Sequence, residues 1–229
     1  GLAISSKMTS QINGLNQAVR NANDAISMIQ VAEGALKGMT DMMQRMRELA
    51  VQSISDSNTT ADRTALNSEF TQLRDQIEDI AEDTQWNGVS FLKTGTDMTF
   101  QIGANAGQTI TVALDDFNQA ASAGPLGNVD IDGTGSASEE LLSSLDILNA
   151  MKAAKALYGL SDAINNIDSA RATMGASMSR LEYAADNLTN IAQNSSAARS
   201  RVLDADYAAE TTELARTQII QQAGTTVLA

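Results

Sequence analysis

The sequence predicts a mainly α protein: an elongated antiparallel helical bundle, or coiled coil, of long helices carrying one β-hairpin. Three observations lead there. Apolar residues recur at alternating spacings of four and three over several long stretches, which is the pattern of a helical seam. The chain has a single proline and only 3% aromatic residues. Ala, Leu, Ile and Met must then fill the core, which suits long helices packed side by side and free of the residue that breaks them. One short stretch near the middle changes to a period of two, the signature of paired strands.

Residues 2–55 read as one long helix. Met8, Ile12, Leu15, Val19, Ala22, Ile26 and Ile29 follow the 4,3 spacing, and the stripe then drifts to Ala32, Leu36, Met39, Met43, Met46 and Ala50. Such drift arises because 3.6 residues per turn does not match a 3.5 repeat. About fifty helical residues span roughly 75 Å at 1.5 Å per residue, so the expected molecule is a rod. Ser55–Thr60 is a polar break. A second helix follows at 61–83, with Leu66, Phe70, Leu73, Ile77 and Ile80 on its seam. The pair Asn87-Gly88 favours a turn.

Residues 97–114 predict the hairpin. Met98, Phe100 and Ile102 alternate with polar residues, Gly103–Gln108 turns the chain, and Ile110, Val112 and Leu114 alternate on the way back. A lone hairpin is marginal in water, so it is expected to lie against the helices. Residues 115–138 are rich in Gly, Ser, Asp and Asn and predict an exposed, mobile loop. A last long helix is expected over 139–196, with Leu157, Leu160, Ile164, Ile167, Met174, Met178, Leu181 and Leu188 on its seam. Arg171 interrupts that seam and calls for a carboxylate partner or a snorkelling pose. A basic–acidic junction at 199–206 precedes a further helical stripe at 207–229. The expected division is a rod-like helical domain over 1–198, then a junction and partial inner helix over 199–229. Both ends fall inside a helical stripe, which reads as a piece of a chain whose termini pack together in an assembly.

Composition narrows the function. Fifteen Lys and Arg against 28 Asp and Glu give a net charge of −13. Nucleic-acid binding needs a basic footprint, and an anionic membrane surface would repel this chain. There is no Cys and no His, which removes disulfides, thiol nucleophiles, imidazole bases and most zinc or haem sites. No apolar run is long enough to span a membrane, so no membrane insertion is expected. No nucleophile elbow, phosphate loop or dinucleotide fingerprint occurs. Asp130-Ile-Asp132-Gly-Thr-Gly135 mimics the start of a calcium loop, but its twelfth position is Leu141 rather than Glu. It reads as a turn, and no cofactor or metal is expected. Asn58-Thr-Thr60 matches a three-residue glycosylation pattern of low specificity. Paired carboxylates such as Asp115/Asp116 and Glu139/Glu140 read as solvated charges.

One stretch carries recognition chemistry. Gln44, Arg45, Arg47, Glu48 and Gln52 surround apolar Leu49 and Val51 on the first helix. Guanidinium groups beside an apolar anchor are typical of interface hot spots, while a salt-bridged helix surface would use the same residues.

Five strings, in order, make the chain similar to the bacterial flagellins, subunits of the flagellar filament. Arg20-Asn-Ala-Asn-Asp-Ala-Ile-Ser27 with Glu33-Gly-Ala-Leu36 resembles the family's first core helix. Gln44-Arg-Met-Arg-Glu-Leu-Ala-Val51 resembles its most recognisable string, with Met46 where many members have Val. Thr84-Gln-Trp-Asn-Gly-Val89 resembles its Gln-Phe-Asn-Gly turn, with Trp86 in place of Phe. Gln101-Ile-Gly-Ala-Asn105 resembles its hairpin. Ala198-Arg-Ser-Arg-Val-Leu-Asp-Ala-Asp-Tyr207 and Ile220-Gln-Gln-Ala-Gly224 resemble its C-terminal signature.

The resemblance implies a structural, non-enzymatic subunit of a helical homopolymer that transmits motor torque for swimming. It implies export through the flagellar export apparatus with an export chaperone, an extracellular filament location, and contact with hook-associated and cap proteins. Set against the family, the chain lacks most of the terminal inner domain, so it is expected to stay soluble rather than polymerise. In many members the Gln-Arg-x-Arg-Glu-Leu-Ala-Val face and a Glu on the next helix engage a flagellin-sensing Toll-like receptor of animal hosts. The matching residues here are Arg45, Leu49 and Glu69. Two alternatives share parts of the pattern: a hook–filament junction protein, and a surface adhesin binding glycans through 115–138. The metalloprotease carried by some flagellins needs His and is excluded.

Overall fold

A computed structural model of the protein describes residues 1–135 and 139–229, with Glu139 described by its backbone only. Three helices dominate: α1 (Leu2–Ile54), α2 (Thr60–Asp83) and α3 (Ala150–Leu228). Between them lie short antiparallel strand pairs: β1 (Gln85–Trp86) with β2 (Val89–Ser90), β3 (Met98–Gln101) with β4 (Thr109–Val112), and β5 (Val129–Asp130) with β6 (Glu139–Glu140). The predicted class, a helical bundle with a small β element, holds.

The chain forms two units. One comprises Gly1–Asn23, Gln101–Ile110 and Glu182–Ala229; the other comprises Asp24–Phe100 and Thr111–Leu181. In the first unit, the start of α1 runs antiparallel to α3. Leu15 and Ala18 pack on Leu188 and Ala192, with Val19 and Ile102 against them. Arg199 donates to the Thr9 hydroxyl at 3.2 Å. The hairpin turn is fixed on α1 by Asn21, whose amide donates to the Gln101 carbonyl at 2.9 Å. Beyond Val202 every residue of α3 is exposed, including Leu214, Ile219 and Ile220.

The second unit holds the larger core. Met28, Ile29, Leu36, Met39, Met43 and Met46 of α1, Phe70 and Ile77 of α2, and Leu160 and Ile167 of α3 are all fully buried in it. Thr59 caps α2: its side chain accepts from the Asp62 N–H, and the Asp62 carboxylate accepts from the Thr59 N–H at 2.7 Å. This reciprocal box satisfies two donors that a helix start leaves open. Asn87 at φ 53° and Gly88 at φ 75° make the turn between β1 and β2, where both central residues need the left-handed region. Trp86 meets Phe100 edge-on, with ring centroids 6.5 Å apart.

Two expectations need correction. The last helix begins at Ala150, not 139. Glu139 and Glu140 pair with Asp130 and Val129, Leu142–Ser144 forms one 3-10 turn, and the Asn149 side chain accepts from the Lys152 N–H at 2.8 Å. That cap starts the helix. The helix then continues through 199–206 without a break, because no Gly or Pro interrupts it there.

The second correction concerns 115–138, of which 136–138 lie outside the described residues. Part of the rest is buried rather than exposed. Phe117, Leu126, Val129 and Ile131 join Leu142, Leu145 and Ile147 in the core. Gln119 pins the segment to α2: its backbone N–H donates to Glu78 at 3.1 Å, and its amide to the Arg74 carbonyl at 2.7 Å. On α3, Asn166 donates to the Pro125 carbonyl and Asp162 accepts from the Asp130 N–H, each at 3.0 Å. Gly159 makes the approach possible, since a Cβ there would lie 2.9 Å from Leu145 and 3.2 Å from Val129. Arg171 lies 3.9 Å from Asp168 and is half-buried, the partner type its position calls for.

Candidate interaction surface

The recognition stretch occupies the last three turns of α1, inside the second unit. At 100° per residue, Gln44, Glu48, Val51, Gln52 and Arg45 share one arc of the helix, while Met43, Met46, Leu49 and Ala50 share the other. Burial follows that division. Gln44, Arg45, Glu48, Val51 and Gln52 are exposed; Met43, Met46 and Ala50 are fully buried.

Arg45 is the hub. Its Nε donates to Glu69 of α2 at 2.9 Å, and its Nη1 donates to Glu48 one turn on at 3.0 Å. The Glu69 hydrogen bond, then the Glu48 bond, raises the pKa of Arg45 above its ordinary value. All three side chains remain about half exposed or more. Exposed pairs of this kind add little to stability. They hold a guanidinium and two carboxylates in a fixed pattern on the surface.

Three predicted site residues fall elsewhere or play another part. Leu49 is only 1% exposed, so its side chain packs in the core rather than on the surface. Arg47 lies about 200° around the helix from Arg45. It is half-buried, and its Nε has no hydrogen-bond partner. Gln52 does share the exposed arc, and its carbonyl also accepts from Asn58 at 2.6 Å, which closes the end of α1. The apolar residue of the exposed face is Val51, 56% exposed. The helical wheel identifies it, since it lies seven positions from Gln44.

The other flagged groups resolve into local structure. Asp130 accepts backbone N–H groups from Asp132, Gly133 and Gly135, so its carboxylate serves the turn. Asn58 spends its amide on the carbonyls of Gln52 and Ser55. Asp116 accepts from the Asn118 N–H. Among the described residues no helix is long and apolar enough to cross a membrane.

Fold and surface together define a structural helical-bundle protein whose chemistry is that of contact. The model for the flagellin N-terminal helical region matches residues 1–96, and that for the C-terminal helical region matches 157–229. A flagellin of Halalkalibacterium halodurans is 41% identical over all of this chain and 79% of its own length. The flagellar filament 33 kDa core protein of Treponema phagedenis is 40% identical, again over the whole chain and 80% of its own. The crystal structure of Bacillus cereus flagellin superposes with a TM-score of 0.58 at 30% identity, covering 79% of this chain and 94% of that one. Hook-associated protein-3 of Legionella pneumophila shares the fold at a TM-score of 0.68 but only 14% identity. The chain belongs to the flagellin family. It is a non-enzymatic subunit of the bacterial flagellar filament.

Proposed function

We propose that the protein works as a torque-bearing subunit of a helical homopolymer, secreted through the flagellar export apparatus with an export chaperone and joined to hook-associated and cap proteins at the filament ends. Subunits in such a polymer meet through heterologous contacts that do not close into a ring. Long helices packed along apolar seams resist bending. The single observation that carries the reading is the pair of continuous helices, 53 and 79 residues long, in a chain matched at both ends by flagellin models.

Within that reading, the face of Gln44, Arg45, Glu48, Val51, Gln52 and Glu69 is an inter-subunit contact in the filament and, on the free monomer, the surface met by the flagellin-sensing Toll-like receptor. The division into a helical domain over 1–198 and an inner segment over 199–229 belongs to the same proposal. The test is a paired measurement on the wild type and Arg45→Ala: binding to the ends of preformed flagellin filaments, and receptor binding by monomer. Loss of both supports one shared face. Retention of both removes this face from the proposal.

A further inference from the structure

The ten methionines of the chain all lie among the described residues, and burial sorts them sharply. Met28, Met39, Met43, Met46 and Met174 are at most 2% exposed. Met8, Met42, Met98 and Met178 are half-buried. Met151 stands apart at 69% exposed.

Local structure keeps it there. Met151 lies in the first turn of α3, just after Asn149, whose side chain caps that turn by accepting from the Lys152 N–H at 2.8 Å. Upstream, the Ser53 hydroxyl donates to the Ile147 carbonyl at 2.6 Å. The turn is therefore held on both sides. Ala153 and Ala156 are fully buried, and they lie about 200° and 140° around the helix from Met151 at 100° per residue. The Met151 thioether points away from the core as long as α3 is formed.

We propose that Met151 is an oxidation site for hydrogen peroxide and related hydroperoxides, one that reacts while the fold stays closed. A sulfur lone pair attacks one peroxide oxygen, and the S–O bond forms as the O–O bond breaks. The proton on the transferred oxygen passes to the departing hydroxide, which leaves as water. Sulfur loses two electrons and the peroxide gains them. The product is the sulfoxide, which a methionine sulfoxide reductase can reverse. Its oxygen faces water at this position, so it adds no buried acceptor.

The core methionines respond differently. Met28, Met39, Met43 and Met46 fill the interior along α1, where a sulfoxide oxygen would be a buried acceptor without a donor. They meet peroxide only when the core opens. Met151 thus takes the first oxidising equivalents at the surface, ahead of the thioethers that hold the core together. The inference is independent of the filament-subunit reading.

The test treats the folded chain with limiting hydrogen peroxide and follows added oxygen at each methionine by peptide mass spectrometry. Met151 is expected to react at least about tenfold faster than each of the buried methionines, which wait for an opening, and faster than each half-buried one. Chain oxidised at Met151 alone is expected to keep the wild-type melting temperature. Met151→Leu, a swap at an exposed position, should remove the fast phase and leave the other rates unchanged. The same treatment in denaturant should level all the rates, which assigns their order to the folded structure. A second methionine that keeps pace with Met151 in the folded chain overturns the inference. So does a drop in melting temperature with Met151 alone oxidised, or an order of rates that persists in denaturant.

Discussion

The Arg45 guanidinium spans two helices: its Nε donates to Glu69 of α2 at 2.9 Å while Nη1 holds Glu48 of its own helix at 3.0 Å. The sequence separation is 24 residues, yet the three charges form one exposed cluster. Because it is solvated, the cluster presents a pattern more than it stabilises a fold.

Arg45→Ala therefore separates recognition from folding. The melting temperature is expected to stay at the wild-type value, since the removed bonds are exposed. Binding at this face is expected to fall, because the pattern loses its only cation. A large drop in melting temperature, read by circular dichroism, would mean that the cluster holds the helices together.

Leu49→Ala and Val51→Ala should behave in opposite ways. Leu49 is 1% exposed, and its truncation leaves a cavity worth about 2–5 kcal/mol in comparable cores. Val51 is 56% exposed, and its truncation should leave stability nearly unchanged while weakening partner contact. Any binding loss in Leu49→Ala should track loss of fold. Denaturant midpoints for the two variants decide the matter; equal midpoints would refute the placement of Leu49 in the core.

The Leu49 case shows what was legible in the chain. The helical wheel sorts Leu49 from Val51 using neighbours alone, and the seams of α1 and α2 and the alternation of the hairpin are local in the same sense. The motif Gln44–Val51 points instead to Leu49 as an anchor, because a resemblance transfers roles without burial. Residues 115–149 were less legible for another reason. Phe117, Leu126, Val129, Ile131, Leu142, Leu145 and Ile147 follow no single period, and their burial depends on distant partners such as Arg74, Glu78 and Asp162. Leu141, Leu142 and Leu145 also mimic helical spacing just before the true start, and only the Asn149 cap marks it.

The capping box should make α2 sensitive to acid. The Thr59 backbone N–H, then the Thr59 side chain, holds the Asp62 carboxyl below its ordinary range. A group with a lowered folded pKa contributes stability above its unfolded value, and that contribution is lost as pH falls through the folded value. The wild type is expected to melt above Asp62→Asn at neutral pH, with the gap closing below about pH 4. Thermal melts of both proteins across that range check it. A gap that persists unchanged in strong acid would show that the Asp62 charge is not what the cap uses.

Ser53 tests how the segment before α3 is held. Its buried hydroxyl donates to the Ile147 carbonyl at 2.6 Å, and the Ile147 N–H donates to Asn67 at 3.0 Å. One residue of the connecting segment is thus tied to α1 through its carbonyl and to α2 through its amide. Ser53 is fully buried, so Ser53→Ala leaves that carbonyl without its partner in a place water does not reach. The expected cost is about 1–3 kcal/mol, and hydrogen exchange should quicken at the Ile147 amide and the first turn of α3. Ser55→Ala, two residues on and exposed, should change neither quantity. Should Ser53→Ala keep the wild-type midpoint and exchange rates, the start of α3 is positioned by its apolar residues alone, and the clamp on Ile147 is incidental.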